Sequence, residues 1–263
     1  MQLILYVILL AFLFETMDSA AGMGFGTGLT PLLFACGYSP LQVVPVLLIS
    51  EAITGLAGGF FHQEFDNVGY SWQQPFNQET KVMLTIAGIG CAAIVASIIL
   101  AYLAIQFPPR AIKTYVAILV LAMGFISLLR LRQPAKRVFR PKMLALFGAL
   151  AGFNKGIGAG GYGPVVMLGQ LFSGIYEKTA TAIVTQAEGI VSLVGVIAWF
   201  GVSTAGVSVN LLLLPSVFAG SFIAALVAPY MVRVLPNQFW KIVIPVYALG
   251  IGIFLVIKLY ILP

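Results

Sequence analysis

The chain has 263 residues, of which 60% are hydrophobic and only 8% charged, with a mean hydropathy of +1.04. A soluble globular domain carries about 25% charged residues, so this composition excludes a water-soluble domain and points to a lipid bilayer. The formal charge is +6, but its carriers concentrate in a linker between apolar runs, which argues for a topology signal and against a nucleic-acid surface.

Crossing a bilayer takes about 20 apolar residues. Eight runs are long enough, near 1–21, 39–61, 82–106, 112–131, 143–162, 178–200, 207–232 and 239–261. The first resembles a signal peptide at Ser19-Ala20-Ala21. It lacks a basic n-region and is interrupted by Glu15 and Asp18, so it is retained as a span. Two shorter pieces, roughly 23–37 and 163–174, read as half-helices that enter and leave on one side.

A glycine cluster that ends in proline leads into each short piece. The first runs from Gly22 through Gly24, Gly26, Thr27, Gly28 and Thr30 to Pro31. The second runs from Lys155 through Gly156, Gly158, Gly160 and Gly161 to Pro164. Each is followed by a glutamate inside an apolar run, Glu51 and Glu188. Gly37 matches Gly174 in the same register, and Pro108, Lys113, Gly124 and Arg130 face Pro236, Lys241, Gly252 and Lys258 at a constant offset of 128. The expected fold is therefore an all-α polytopic membrane protein of two homologous repeats, with about eight full transmembrane helices plus two short broken or re-entrant segments. The repeats cover 1–131 and 143–263, and residues 132–142 form a basic linker. If the short pieces return to their starting side, the halves point the same way. If they cross, the halves are inverted. Charge counting leaves both open.

The linker region holds Arg130, Arg132, Lys136, Arg137, Arg140 and Lys142 with no acid, which places residues 130–142 in the cytoplasm. Residues 62–81 are acidic and aromatic, with Glu64, Asp66, Trp72 and Glu79. His62 is the one histidine, too few for a usual zinc site, and is expected at a surface or mouth. Cys36 and Cys91 have no metal-ligand spacing and read as packing residues. No Walker A sequence or nucleophile–base dyad is present, so neither ATP use nor catalysis is expected, and no cofactor or metal.

Backbone N–H groups of the glycine clusters, together with half-helix N-termini, make an anion cradle. Its candidate residues are Gly24, Gly26, Thr27, Gly28, Thr30, Asn154, Lys155, Gly158, Gly160 and Gly161. The alternative is close helix packing, where small residues let backbones approach. Lys155 stands about 18 Å from the linker at ~1.5 Å per residue, deep enough to need a substrate anion or an acid as partner. Glu51 and Glu188 each fall about ten residues into a span and, with Asp18, are candidate proton carriers. Glu15 and Asp18 have no acidic counterpart in the second half, and are expected to pair with Lys155 or face an aqueous mouth.

The two glycine-to-proline segments, the glycines Gly37 and Gly174, and the Pro…Lys…Gly pattern before the last span of each half resemble the TauE/SafE sulfite exporter family, also called the 4-toluene sulfonate uptake permease family. The resemblance covers nearly the whole chain. It implies a multi-pass inner-membrane permease for sulfur-containing anions such as sulfite, thiosulfate or organosulfonates. The family's glycine motif falls on Gly24, Gly26, Gly28 and Pro31, then Gly158, Gly160, Gly161 and Pro164. Glu51 and Glu188 depart from the commonest pattern and would repel a dianion unless protonated or paired. Protons, or sodium ions, are the expected coupling partners, the bilayer is the solvent, and a homodimer is left open. The alternative function is a cation or metal transporter acting through Glu51 and Glu188.

Overall fold

A computed structural model describes residues 3–130, 139–234 and 237–261. Among them all the regular secondary structure is helical. In chain order the helices are α1 (Leu5–Ala21), α2 (Thr30–Ala35), α3 (Pro40–Glu64), α4 (Gln78–Ile98), α5 (Pro109–Arg130), α6 (Pro141–Gly158), α7 (Tyr162–Phe172), α8 (Glu177–Thr204), α9 (Leu214–Val234) and α10 (Asn237–Tyr260). π-Helical turns at Phe25–Leu29 and Ile99–Ala104 extend α2 backward and α4 forward. Five of these segments are long and apolar enough to cross a membrane: Pro40–Glu64, Gln78–Ala104, Pro109–Ile126, Lys178–Thr204 and Leu214–Val234. Shorter apolar helices cover Phe25–Ala35, Tyr162–Phe172 and Ala248–Tyr260. The protein is a multi-pass, all-helical membrane protein. Of the basic linker, Arg132, Lys136 and Arg137 lie outside the described residues, while Arg140 and Lys142 are exposed at the start of α6. Cys36 is exposed rather than packed.

Local sequence sets the helix starts. Ser39 opens α3 through a reciprocal capping box with Gln42, ahead of Pro40 at the first position. Asn77 opens α4 by accepting the Thr80 N–H at 2.9 Å. Between helices, glycine permits the close approach that replaces hydrophobic driving force inside lipid. A Cβ on Gly55 would stand 2.7 Å from the Gly189 Cα, and one on Gly152 would stand 2.4 Å from the Gly90 carbonyl oxygen. Both sites must therefore stay bare.

These contacts also fix helix directions. α1 runs parallel to α9, with the Ile4 N–H on Ser216 Oγ at 2.9 Å and Gly220 against Ile8 further along. α6 runs parallel to α4, pairing Gly148 with Ile86, Gly152 with Gly90 and Gly156 with Ile94. α3 and α8 are antiparallel, Gly59 meeting Gln186 and Gly195 meeting Leu48. α5 and α10 are antiparallel too, Gly124 meeting Leu249 and Gly252 meeting Leu121.

Two helical hairpins emerge. The first runs out along α1, turns at Gly22–Gly24 and returns through Phe25–Ala35, its base closed by Tyr6 Oη and Tyr38 Oη at 2.9 Å. The second runs out along α6, turns at Ala159–Gly161 and returns through α7, its base closed by Ser173 Oγ donating to the Arg140 carbonyl at 3.1 Å. α1 starts at the end of the bundle where α3 and α9 start, and α6 starts where α4 starts and α3 ends. The hairpins thus enter from opposite ends. Here the structure differs from the sequence expectation. Residues 1–21 and 143–162 are outgoing hairpin arms, so returning short pieces coexist with opposite entry. An odd number of helices, α3 to α5, separates the two hairpins.

Candidate functional site

The chain breaks at left-handed turns, one at a glycine and one at an alanine followed by glycines. Gly22 (φ 68°) closes α1 by donating its N–H to the Asp18 carbonyl at 2.6 Å. Ala159 (φ 54°) closes α6 in the same way on the Lys155 carbonyl at 2.8 Å, and Gly161 (φ 77°) follows. The breaks are shorter than the sequence suggested. Gly26, Thr27 and Gly28 lie inside the π turn, and Asn154, Lys155 and Gly158 are still in α6.

The two tips touch. A Cβ on Gly26 would stand 2.1 Å from the Ala159 carbonyl oxygen, on Gly160 2.9 Å from the Gly26 oxygen, and on Gly163 2.4 Å from the Gly22 oxygen. Gly24 packs on the backbone of Asp18 and Phe14, whereas Gly158 and Gly161 pack on the side chains of Val116 and Leu119. Gly26, Gly160 and Gly163 thus bring the two tips together backbone on backbone. Thr27 and Thr30 are buried beside them, Thr30 with its hydroxyl unpartnered.

Beside the tips lies a buried ion cluster. Lys155, fully buried, donates to Glu51 Oε2 at 2.6 Å and to Glu188 Oε1 at 2.7 Å, and its ammonium sits 5.3 Å from the Tyr162 ring centroid. α6 is thereby tied to α3 and α8 by one charge. The neighbouring Asn154 Oδ1 accepts the Tyr115 hydroxyl. Glu15 and Asp18 are buried in the same region, and neither pairs with Lys155. Ser19 Oγ donates to Glu15 Oε1 at 3.1 Å, and the Phe25 N–H donates to Asp18 Oδ1 at 3.2 Å.

Asp18 and Lys155 hold equivalent places, each four residues before its left-handed cap, yet carry opposite charge. Asp18 satisfies the N-terminus of the first return helix. α7, the second return helix, opens on Gly161, which has no side chain of its own to cap it. Its partial positive end lies on the same tip as the Lys155 ammonium.

Glu15, Asp18, Glu51, Thr54, Thr185 and Glu188 line a small cavity of about 10 Å³, space for about one water. Glu15 Oε2, Glu51 Oε1, Glu188 Oε2 and Thr54 Oγ1 are buried without hydrogen-bond partners. Four of the chain's eight acids meet one lysine here. Full ionisation would bury three uncompensated charges, at several kcal/mol each. Among the described residues no three His, Cys, Asp or Glu side chains are arranged to hold a metal ion. Glu51 and Glu188 already serve an ammonium, which removes the basis for a metal site built on that pair.

His62 is buried, contrary to the expected surface or mouth. Its Nε2–H donates to the Ser19 carbonyl at 3.1 Å and its Nδ1 accepts from Asn67 Nδ2, also 3.1 Å, which fixes the neutral Nε2–H tautomer. Asn67 reaches on to the Pro229 carbonyl. The signal was present, because Glu51, Gly55, Gly58 and His62 recur at helical spacing on one face of α3. Replacing His62 with alanine strands Ser19 and Asn67, and is expected to cost about 1–3 kcal/mol. An unchanged thermal midpoint in detergent would contradict that role.

The model of the family described as Sulfite exporter TauE/SafE matches residues 7–255. A curated relative, "Probable membrane transporter protein YtnM" of Bacillus subtilis (strain 168), is 29% identical over 229 residues, covering 83% of this chain and 71% of the relative. No solved structure matches the chain significantly. With its broken-helix hairpins and lipid-borne composition, the chain belongs to the sulfite exporter TauE/SafE family of membrane transporters.

Proposed function

We propose that the protein is a secondary permease of the inner membrane that moves small sulfur-containing anions such as sulfite, thiosulfate or organosulfonates, coupled to protons. The observation that carries this reading is the second hairpin tip. There Gly161 opens α7 with no side chain of its own to cap it, and Lys155 stands one turn before the break. An ammonium and a helix N-terminus converging at one buried point suit an oxyanion. Asn154, Gly158, Gly160 and Gly161 would supply the remaining contacts. On the first tip Asp18 already occupies the equivalent position, so Gly24, Gly26, Thr27, Gly28 and Thr30 form the opposing wall.

Two inverted repeats, 1–131 and 143–263, account for the packing. Exchanging the halves turns the α1–α9 pair into α6–α4 and leaves α3–α8 and α5–α10 as self-pairs. Such a relation supports alternating access around a fixed site. The contact of the tips corresponds to the closed state, and opening would part them. A recess of about 290 Å³ at the end where α3 starts, lined by Leu41, Tyr102 and Phe107, lies beside the second tip, because Tyr102 donates to the Ile157 carbonyl. The opposite end, with the basic linker, faces the cytoplasm. Glu51, Glu188 and Asp18 are the candidate proton carriers.

Purified protein in liposomes is expected to take up radiolabelled sulfite, thiosulfate or an alkanesulfonate in a saturable manner, with proton movement detected by an entrapped dye. Uptake no faster than in protein-free liposomes, for all three anions and in either direction, would sink the reading.

A further inference from the structure

An ammonium has three donors. Glu51 and Glu188 take two of those on Lys155 at 2.6 and 2.7 Å, the Tyr162 ring centroid stands 5.3 Å from the ammonium, and no part of the residue is exposed. An anion therefore reaches Lys155 only by displacing a carboxylate. A displaced carboxylate cannot stay charged and unpaired at this depth.

We propose that Glu51 and Glu188 are built-in competitors for the substrate anion on Lys155, and that each negative charge of substrate is admitted as one of these carboxylates takes up a proton. This deepens the anion-permease reading and rests on it. Each proton comes from water and adds to a carboxylate oxygen, and the ammonium keeps its own protons throughout. Glu51 Oε1 and Glu188 Oε2, both buried and unpartnered, are free to accept, and the cavity they line has room for a delivering water.

Charge is conserved in this exchange. One ammonium against two carboxylates leaves the triad at −1. A monoanion arriving with one proton, or a dianion with two, leaves it at −1 again. Transport coupled in this way moves no net charge. The other groups facing the triad are Glu15 and Asp18 on α1, Tyr162 on α7 and, next to Tyr162, Cys91 on α4. Glu15 and Asp18 hold Ser19 and the Phe25 N–H, and none of these groups touches the ammonium's two bonding partners as a rival cation.

The test uses methanesulfonate and thiosulfate, whose charges of one and two do not change near neutral pH. Binding to the full chain in detergent is followed by calorimetry. Proton uptake on binding means affinity falls as pH rises, by about tenfold per pH unit for methanesulfonate and about a hundredfold for thiosulfate. Glu51→Gln and Glu188→Gln should each remove one proton from the thiosulfate slope. Thiosulfate uptake by wild-type protein in liposomes should not respond to a potassium diffusion potential. A slope unchanged in both variants, equal slopes for the two anions, or uptake that follows the potential overturns the competition while leaving anion permeation intact. If wild-type protein neither binds nor transports either anion at any pH, both readings fall. Should a variant not fold, the two slopes and the voltage test on wild-type protein decide alone.

Discussion

Replacing Lys155 with alanine is expected to cost about 3–5 kcal/mol, the usual price of breaking a buried ion pair from one side. The reason is what remains. Glu51 and Glu188, each within 2.7 Å of the lost ammonium, would face one another's charge in a deeply buried site. α6 would lose its tie to α3 and α8, the helices that cross at Gly55 and Gly189. The thermal midpoint in detergent should fall sharply, and anion binding should vanish with it. Combining Lys155→Ala with Glu51→Gln and Glu188→Gln removes the stranded charges and should recover much of the stability but none of the binding. That separation distinguishes a residue that holds substrate from one that only holds the fold. A Lys155→Ala protein as stable as wild type would mean the triad does not bind the helices together.

The second large effect is expected at Gly26. A methyl group there would stand 2.1 Å from the Ala159 carbonyl oxygen, and because that obstacle is backbone, no rotamer relieves it. The two hairpin tips must separate, at about 1–3 kcal/mol for overpacking. Gly26→Ala should therefore abolish or strongly reduce uptake, because the tips no longer close over the site. Gly88→Ala is the control. Gly88 lies within α4 with nothing within 4 Å of the added carbon, and alanine favours a helix over glycine by about 1 kcal/mol. Uptake by the Gly88 variant should match wild type. Normal uptake by the Gly26 variant would show that tip contact is dispensable.

Much of the molecule was readable along the chain. The apolar runs coincide with helices, both glycine clusters mark real breaks, and the resemblance to the sulfite exporter family is borne out. Lys155, Glu51 and Glu188 stood out because ionisable residues at that depth need partners. What reading along the chain mistook was extent. Gly26 and Gly28 were read as backbone broken open to offer N–H groups, yet a π turn incorporates them, since a glycine permits irregular backbone without requiring it. His62 looked peripheral because it falls near the end of α3, yet the end of α1 and the segment around Asn67 close over it.

By itself, the amino-acid order determined that this chain dissolves in lipid, where its backbone departs from helix, and which charged groups are carried inside. Only the tertiary structure decided that Lys155 is shared between Glu51, 104 residues away, and Glu188, 33 residues away. It alone decided too that Asp18 occupies the first tip, and that the hairpins enter from opposite ends. The physical reason is range. Hydropathy, glycine freedom and burial cost act within a turn or two of the chain, whereas the choice of partner depends on which glycine faces let α3, α6 and α8 approach closely enough to meet.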